Sequence, residues 1–247
     1  MLRPVTVVTV SYDTYFFVRL LVEKVRETIG ARDYEIIVVD RGSRDGSREW
    51  LRAQPDVRLY TAWQWKRTRH RHGEAAEKGV LHAQYDHVVL LDSDAHPIDK
   101  TWLEATVDRL DDHYRLAGAE HREPHRGNPY GSYIHPFFMA FFQADFGLYV
   151  ILRKMRGVDT DTGEEATIRL RDAGFGVLGY PIEFYPRFSV GHPRHPQISA
   201  GVFHAGHATR LAKNSASVLR ESDGTITRAS YIEPLQALLR QAYHLDY

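Results

Sequence analysis

His87-Val88-Val89-Leu90-Leu91-Asp92-Ser93-Asp94 is a short apolar run that ends in two carboxylates one residue apart. A run of this length, closed by a turn signal from Asp94 to Pro97, reads as a strand buried on both faces. Working outward, the pattern recurs. Val5 to Val10, Glu35 to Asp40 (EIIVVD) and Val57 to Thr61 read as further strands. Between them, Phe16 to Ile29 carries Val18, Leu21, Val22, Val25 and Ile29 at helical spacing, with Gly30 as a stop. Ser47 to Gln54 is a short helix closed by Pro55, and helices are expected at Glu74 to Ala83 and Trp102 to Leu110. Strand and helix alternating in this way describe an α/β fold with an open, mixed but mainly parallel sheet flanked by helices.

The second half is less regular. Aromatic residues crowd Tyr130 to Phe142, which reads as core or a subunit interface, and a helical stretch is expected from there to about Met155. A helix at Ala166 to Ala173, a strand around Val177 to Phe184, a proline-marked loop and an amphipathic helix at Tyr231 to Tyr243 follow. We divide the chain into residues 1–210, with halves at 1–115 and 116–210, and a C-terminal helical extension at 211–247.

Composition narrows the functional classes. The 247 residues carry 32 basic and 32 acidic side chains, so a polyanion binder is not expected despite the local cluster Lys66, Arg67, Arg69 and Arg71. No apolar run approaches the ~18 residues of a membrane span. The absence of cysteine excludes thiol catalysis and zinc-thiolate sites. Residues 1–10 lack the pattern of a secretory leader, and a cytoplasmic protein, if anything peripheral to a membrane, is the expectation.

In open α/β sheets ligands bind outside the carboxyl ends of the strands. Three tips are rich in polar groups: Ser11-Tyr12-Asp13, Asp40-Arg41-Gly42-Ser43 and Asp92-Ser93-Asp94. Paired carboxylates at a strand tip suit a hard divalent cation that shares its shell with substrate phosphates. From spacing alone, an acidic strand end before a turn serves equally well. Asp40 is positioned to accept from a nucleobase N–H, whereas Asp45 reads first as a cap of the following helix. His204 and His207 follow Val202-Phe203, and a neutral imidazole there suits a shell begun by Asp94. No Glu stands between them as in a helix-borne zinc pair.

VTVVTVSYDTYFFVRLL, EIIVVDRGSRDGS, HGEAAEKGV and VVLLDSDAHPIDKTWL, in this order, resemble the nucleotide-sugar-binding half of inverting GT-A glycosyltransferases of the family 2 type. DTGEEATIRLRDAGFGVLGYP and VFHAGHATR resemble the acidic active-site motif and late histidine motif of the same family. The resemblance implies a glycosyltransferase, hexosyltransferase in type, that uses a nucleotide-diphosphate sugar and Mn²⁺ or Mg²⁺. It implies a base-recognition role for Asp40 and donor contacts from Ser11, Arg71, Asp92 and Ser93. Asp94 and His204 become metal ligands, and Asp161 the base that deprotonates the acceptor hydroxyl, with Asp159 and Glu164 as alternatives. Thr162 to Glu165 also fits a capping box, in which Asp161 or Thr162 only caps a helix. Two departures stand out: Arg41 replaces a second acid common in relatives, leaving the base open, and Glu77 replaces an Asn, altering packing beneath the donor. Tyr133 and His135 are candidates for the acceptor side. The acceptor is a small molecule, a glycan or a lipid-linked sugar, and the aromatic run and terminal helix are candidate homodimer surfaces. The rival readings are a non-catalytic relative that keeps the fold and a nucleotidyltransferase. The latter usually has a Gly-rich basic loop after its first strand, where this chain has Ser11-Tyr12-Asp13-Thr14.

Overall fold

Alternate residues of β1 (Val5–Ser11) face opposite layers: Val5 and Val7 join one apolar cluster, Val8 and Val10 another. The same alternation in β4 (His87–Asp92) sends Val89 and Leu91 one way and Val88 and Leu90 the other. A strand buried on both faces needs helices on both sides, and they are present. The computed structural model of the chain describes residues 2–61, 71–122, 128–152, 163–188, 196–206, 219–221, 224–226 and 232–247.

On the first face lie α1 (Tyr15–Thr28), α2 (Ser47–Arg52) and α4 (Thr101–Ala105), which contribute Val18, Leu21, Leu51 and Trp102. On the second lie α3 (Arg71–Leu81) and α5 (Glu164–Asp172), which contribute Ala75, Val80, Ala166 and Leu170. Between them runs a seven-stranded sheet in the order β3-β2-β1-β4-β7-β6-β8. Here β2 is Tyr34–Asp40, β3 Val57–Thr61, β6 Tyr114–His121, β7 Tyr133–Phe142 and β8 Gly176–Pro181. Only β7 runs against its neighbours β4 and β6; the other pairings are parallel. The mixed, mainly parallel architecture expected from the sequence is therefore the observed one. A smaller sheet, β5 (Ala95–Pro97), β11 (Val202–His204), β10 (Gln197–Ser199) and β9 (Glu183–Phe184), continues from the tip of β4.

The aromatic run is β7, with Phe137, Phe138 and Phe141 wholly buried, which settles it as core. The helix expected from there toward Met155 is not found through Leu152, the last described residue of that stretch. A single 3₁₀ turn, Gln143–Asp145, stands in its place. Arg115 holds the buried Asp145 carboxylate through two bonds of 2.7 and 2.8 Å, and Gly147 at φ +83° turns the chain back. Leu219–Glu221 (β12) and Gly224–Ile226 (β13) pair as a hairpin before the terminal helix α6 (Ile232–Tyr243). Leu235 and Leu239 of α6 pack with Phe16, Phe17 and Leu20 on the outer face of α1 and with Phe203 of β11. Both segments considered as homodimer surfaces thus engage their apolar side chains within the chain.

Gly79 sets how closely α3 approaches the sheet. A Cβ there would lie 2.5 Å from a methyl of Val8 and 3.2 Å from one of Val39. Replacing an interior helix glycine by alanine ordinarily gains about 1 kcal/mol, whereas overpacking a close contact costs about 1–3 kcal/mol. Gly79→Ala is expected to destabilise the protein on balance, seen as a lower urea midpoint with an unchanged slope; a raised midpoint would show that α3 shifts freely.

Candidate functional site

Strand register brings the polar tips level. Ser11 pairs with Asp40, and Val10 with Asp92, so three strands end at one edge of the sheet. Beyond Asp92 the chain turns through Ser93 and Asp94 into β5, which pairs antiparallel with β11 so that Ala95 stands opposite His204. The amide of Ala205 donates to the carbonyl of Asp94 at 2.9 Å. Main-chain pairing alone therefore carries His204 to the acidic turn, where its Nε2 lies 3.5 Å from Asp94 Oδ1. Ligand atoms of Asp92, Asp94 and His204 lie within 4.8 Å of one another. Two carboxylates and an imidazole fit a divalent ion such as Mn²⁺, which accepts oxygen and nitrogen together. Asp94 and His204 are both buried, and one oxygen of Asp92 is sealed from water without an aligned hydrogen bond.

The second shell of the imidazole is present too. Nδ1 of His204 lies 3.4 Å from Oε1 of Gln197, its partner across β10 and β11. Its ring stacks on Phe137 at 4.3 Å and 11°, and His135 follows at 6.4 Å. This fixes the ring with Nε2 toward the carboxylates. Burial disfavours a charged His204, but Asp94 and then Asp92 outweigh it and raise its pKa above 6.5. Burial likewise opposes the charge on Asp92. His72 overcomes it, with His204 and His135 adding, and the carboxyl is held down to about 2. His72 reaches Asp92 from the first turn of α3, its Nε2 3.2 Å from Oδ1.

The other expected donor residues are placed differently. Ser11 has no exposed surface, and its Oγ lies 3.2 Å from Oγ1 of Thr14. Asp40 is also fully buried, and its oxygens accept from the amides of Gly42 and Ser43 and from the Ser43 hydroxyl. Arg48 Nε lies 3.4 Å away. With no exposed surface, Asp40 meets a base only if the loop after β2 moves. As placed, Asp40 shapes the loop. Ser43 Oγ in turn accepts from the amide of Asp13 at 2.9 Å, and Asp13 accepts from the amide of Arg44 at 2.8 Å. Asp45 takes the amides of both Tyr15 and Ser47, at 2.7 and 3.1 Å, so it ties the starts of α1 and α2 together. Asp45 accepts the amide of Ser47 without holding the cap position of α2, which Gly46 occupies.

Arg71 opens α3, and its side chain lies outside the described residues, as do Asp159, Asp161 and His207. Ser93 is buried. Gly163 stands at the N-cap of α5 at φ +85°, so neither Asp161 nor Thr162 holds that position, contrary to the capping-box reading. A Cβ on Gly163 would lie 2.5 Å from the carbonyl of Ile134, which presses the start of α5 onto β7 beside His135. Glu164 points inward, fully buried, and accepts from Asn128 Nδ2 at 2.9 Å. Glu77 accepts the amide of Leu152 at 3.1 Å, and so anchors the stretch after β7 beneath α3. Sequence reasoning passed over His72, Gln197 and the proximity of His135. The adjacency of His72 to Arg71 at a helix start was the available signal; the other two depend on strand pairing.

A family model described as Glycosyl transferase family 2 matches residues 6–164. Among solved structures, a mannosyltransferase from Pyrobaculum calidifontis, in complex with GDP-Man and Mn²⁺, is similar with a TM-score of 0.54 and 23% identity. The likeness covers 72% of this chain and 54% of that one, so the chain spans about half the length of that relative. Glucosyl-3-phosphoglycerate synthase from Mycobacterium tuberculosis, in complex with Mn²⁺, UDP and phosphoglyceric acid, is similar with a TM-score of 0.51 and 15% identity, over 72% of this chain and 68% of that one. These likenesses establish a GT-A fold. Among curated proteins no sequence matches the chain. No helix among the described residues is long and apolar enough to cross a membrane.

Ser43 joins the two loops at the donor edge, and its removal leaves a buried oxygen of Asp40 short of a donor. Ser43→Ala is expected to cost about 1–3 kcal/mol in urea unfolding, the penalty of an unsatisfied buried group. A change below about 0.5 kcal/mol would show that the loop rearranges around Asp40.

Proposed function

This chain belongs to glycosyl transferase family 2, and we propose that it transfers a sugar of the hexose type from a nucleoside-diphosphate donor to an acceptor hydroxyl, with inversion and with the help of a divalent cation. The cluster of Asp92, Asp94 and His204 at the carboxyl edge of the sheet carries this reading. Bound there by Asp94 and His204, beside Asp92, Mn²⁺ or Mg²⁺ supplies positive charge to a leaving diphosphate. The Mn²⁺ and guanosine or uridine diphosphate groups of the two similar structures support the same assignment.

The division of labour follows the sheet. Residues 1–115 hold the nucleotide sugar, residues 116–210 the acceptor, and residues 211–247 form the extension. Asp40 and Ser11 set the loops on which the base and ribose rest, with Arg71 and Ser93 as further donor contacts. Asp161 takes the proton of the acceptor hydroxyl as its oxygen attacks the anomeric carbon from the face opposite the diphosphate. The bond from that carbon to the diphosphate oxygen breaks, and the nucleoside diphosphate leaves with the electron pair. Two observations support Asp161: Gly163, two residues on, touches β7 next to His135, and the inward-facing Glu164 already has a partner.

A thermal-shift panel of UDP, GDP, dTDP and CDP, each with Mn²⁺ or EDTA, tests the donor site. One nucleotide is expected to stabilise the fold only with the cation; at ~100 times its dissociation constant the gain is about 2.7 kcal/mol, several degrees in Tm. Asp94→Ala is expected to abolish that response, and a panel without any shift would sink the reading. Once the donor is known, Asp161→Ala should end turnover while leaving the nucleotide response intact. Unchanged turnover would remove Asp161 as the base.

A further inference from the structure

His72 was not among the residues expected to act, yet it stands where a diphosphate would pass. The helix α3 joins two parallel strands, β3 and β4, so it runs back against them and starts at their carboxyl edge. Its close contact with Val8 and Val39 through Gly79 fixes that start over the strand tips. From the first turn His72 reaches Asp92, with Nε2 at 3.2 Å, while 38% of its side chain stays exposed. The ring thus bridges the acidic turn and the open edge. The Asp92 oxygen it faces is sealed from water and has no aligned hydrogen bond.

We propose that His72 is a binding residue for the donor diphosphate, resting on Asp92 until a phosphate oxygen takes its Nε2–H. The inference rests on the donor-site reading above. A diphosphate brings negative oxygens to an edge that already holds Asp92 and Asp94, and like charges so close repel unless donors intervene. An imidazole with its proton on Nε2 is such a donor on that rim. The amides at the start of α3 reinforce it, since the first N–H groups of a helix have no partners within the helix.

The test compares full-length wild type with His72→Phe, which keeps a ring but no donor, and His72→Lys, which restores one. Mn²⁺ binding alone is followed by water-proton relaxation, and binding of UDP, GDP, dTDP and CDP with Mn²⁺ by calorimetry. We expect His72→Phe to bind Mn²⁺ within twofold of wild type and to bind the preferred diphosphate about tenfold or more weakly, as for a lost hydrogen bond to a charged group. His72→Lys is expected to recover most of that loss. Undiminished diphosphate binding in His72→Phe overturns the proposal. So does a parallel loss of Mn²⁺ binding, which would make His72 a group that only positions Asp92. If wild type binds Mn²⁺ but none of the four nucleotides, the donor-site reading itself falls, and this assignment with it.

Discussion

Two carboxylates held at the mouth of one buried strand repel each other, and the local architecture answers that repulsion. Each acid meets an imidazole that arrives on a separate element: His72 from α3 at Asp92, and His204 from β11 at Asp94. The pairing is worth most because the groups are shielded, where opposite charges attract far more strongly than in bulk water. It shows in the titration of one member of each pair, with Asp92 pulled down and His204 pushed up despite burial. A cation arriving at this turn would meet an ionised Asp92 and a ring already aimed at Asp94.

The rest of the site serves this arrangement at one remove. Gln197 and Phe137 fix the plane of His204, and the β5–β11 ladder fixes its position. On the nucleotide side, Asp40, Ser43, Asp13 and Asp45 lace the loops after β1 and β2 into one unit, using side chains that look like ligand contacts in the sequence. Polar residues at strand tips in this chain therefore divide into two groups. Those of β1 and β2 bind one another's loops, and those after β4 gather with His204.

Most strands and helices of the first 110 residues are legible because the central strands are buried on both faces and α1 and α3 each have one apolar side; the edge strand β3 is only half-buried, and the helix expected over Trp102 to Leu110 ends at Ala105 and gives way to a 3₁₀ turn at Val107–Arg109. The segment after β7 reads as a helix and is not one through Leu152, because the Arg115 pair with Asp145 is a contact across the sheet that no local pattern announces. The acidic turn and His204 are legible through their motifs. His72 is legible only through its place beside Arg71, since a histidine in a basic stretch gives no hint of the carboxylate it faces, and the inward turn of Glu164 depends on Asn128, far from it in sequence.

The small sheet has a consequence for how the chain reaches its active form. β5 and β11 lie roughly 110 residues apart, and α6 closes a longer circuit through the bond between His96 and Tyr243, which are 147 residues apart. Loops of this length cost several kilocalories of chain entropy to close, and contacts so distant in sequence form late in folding. A nascent chain can assemble β1 to β4 from local strand-helix units well before His204 has emerged. Anything that bridges Asp94 and His204 then acts as a clasp on the finished ring, and its grip registers as resistance of the C-terminal half to unfolding.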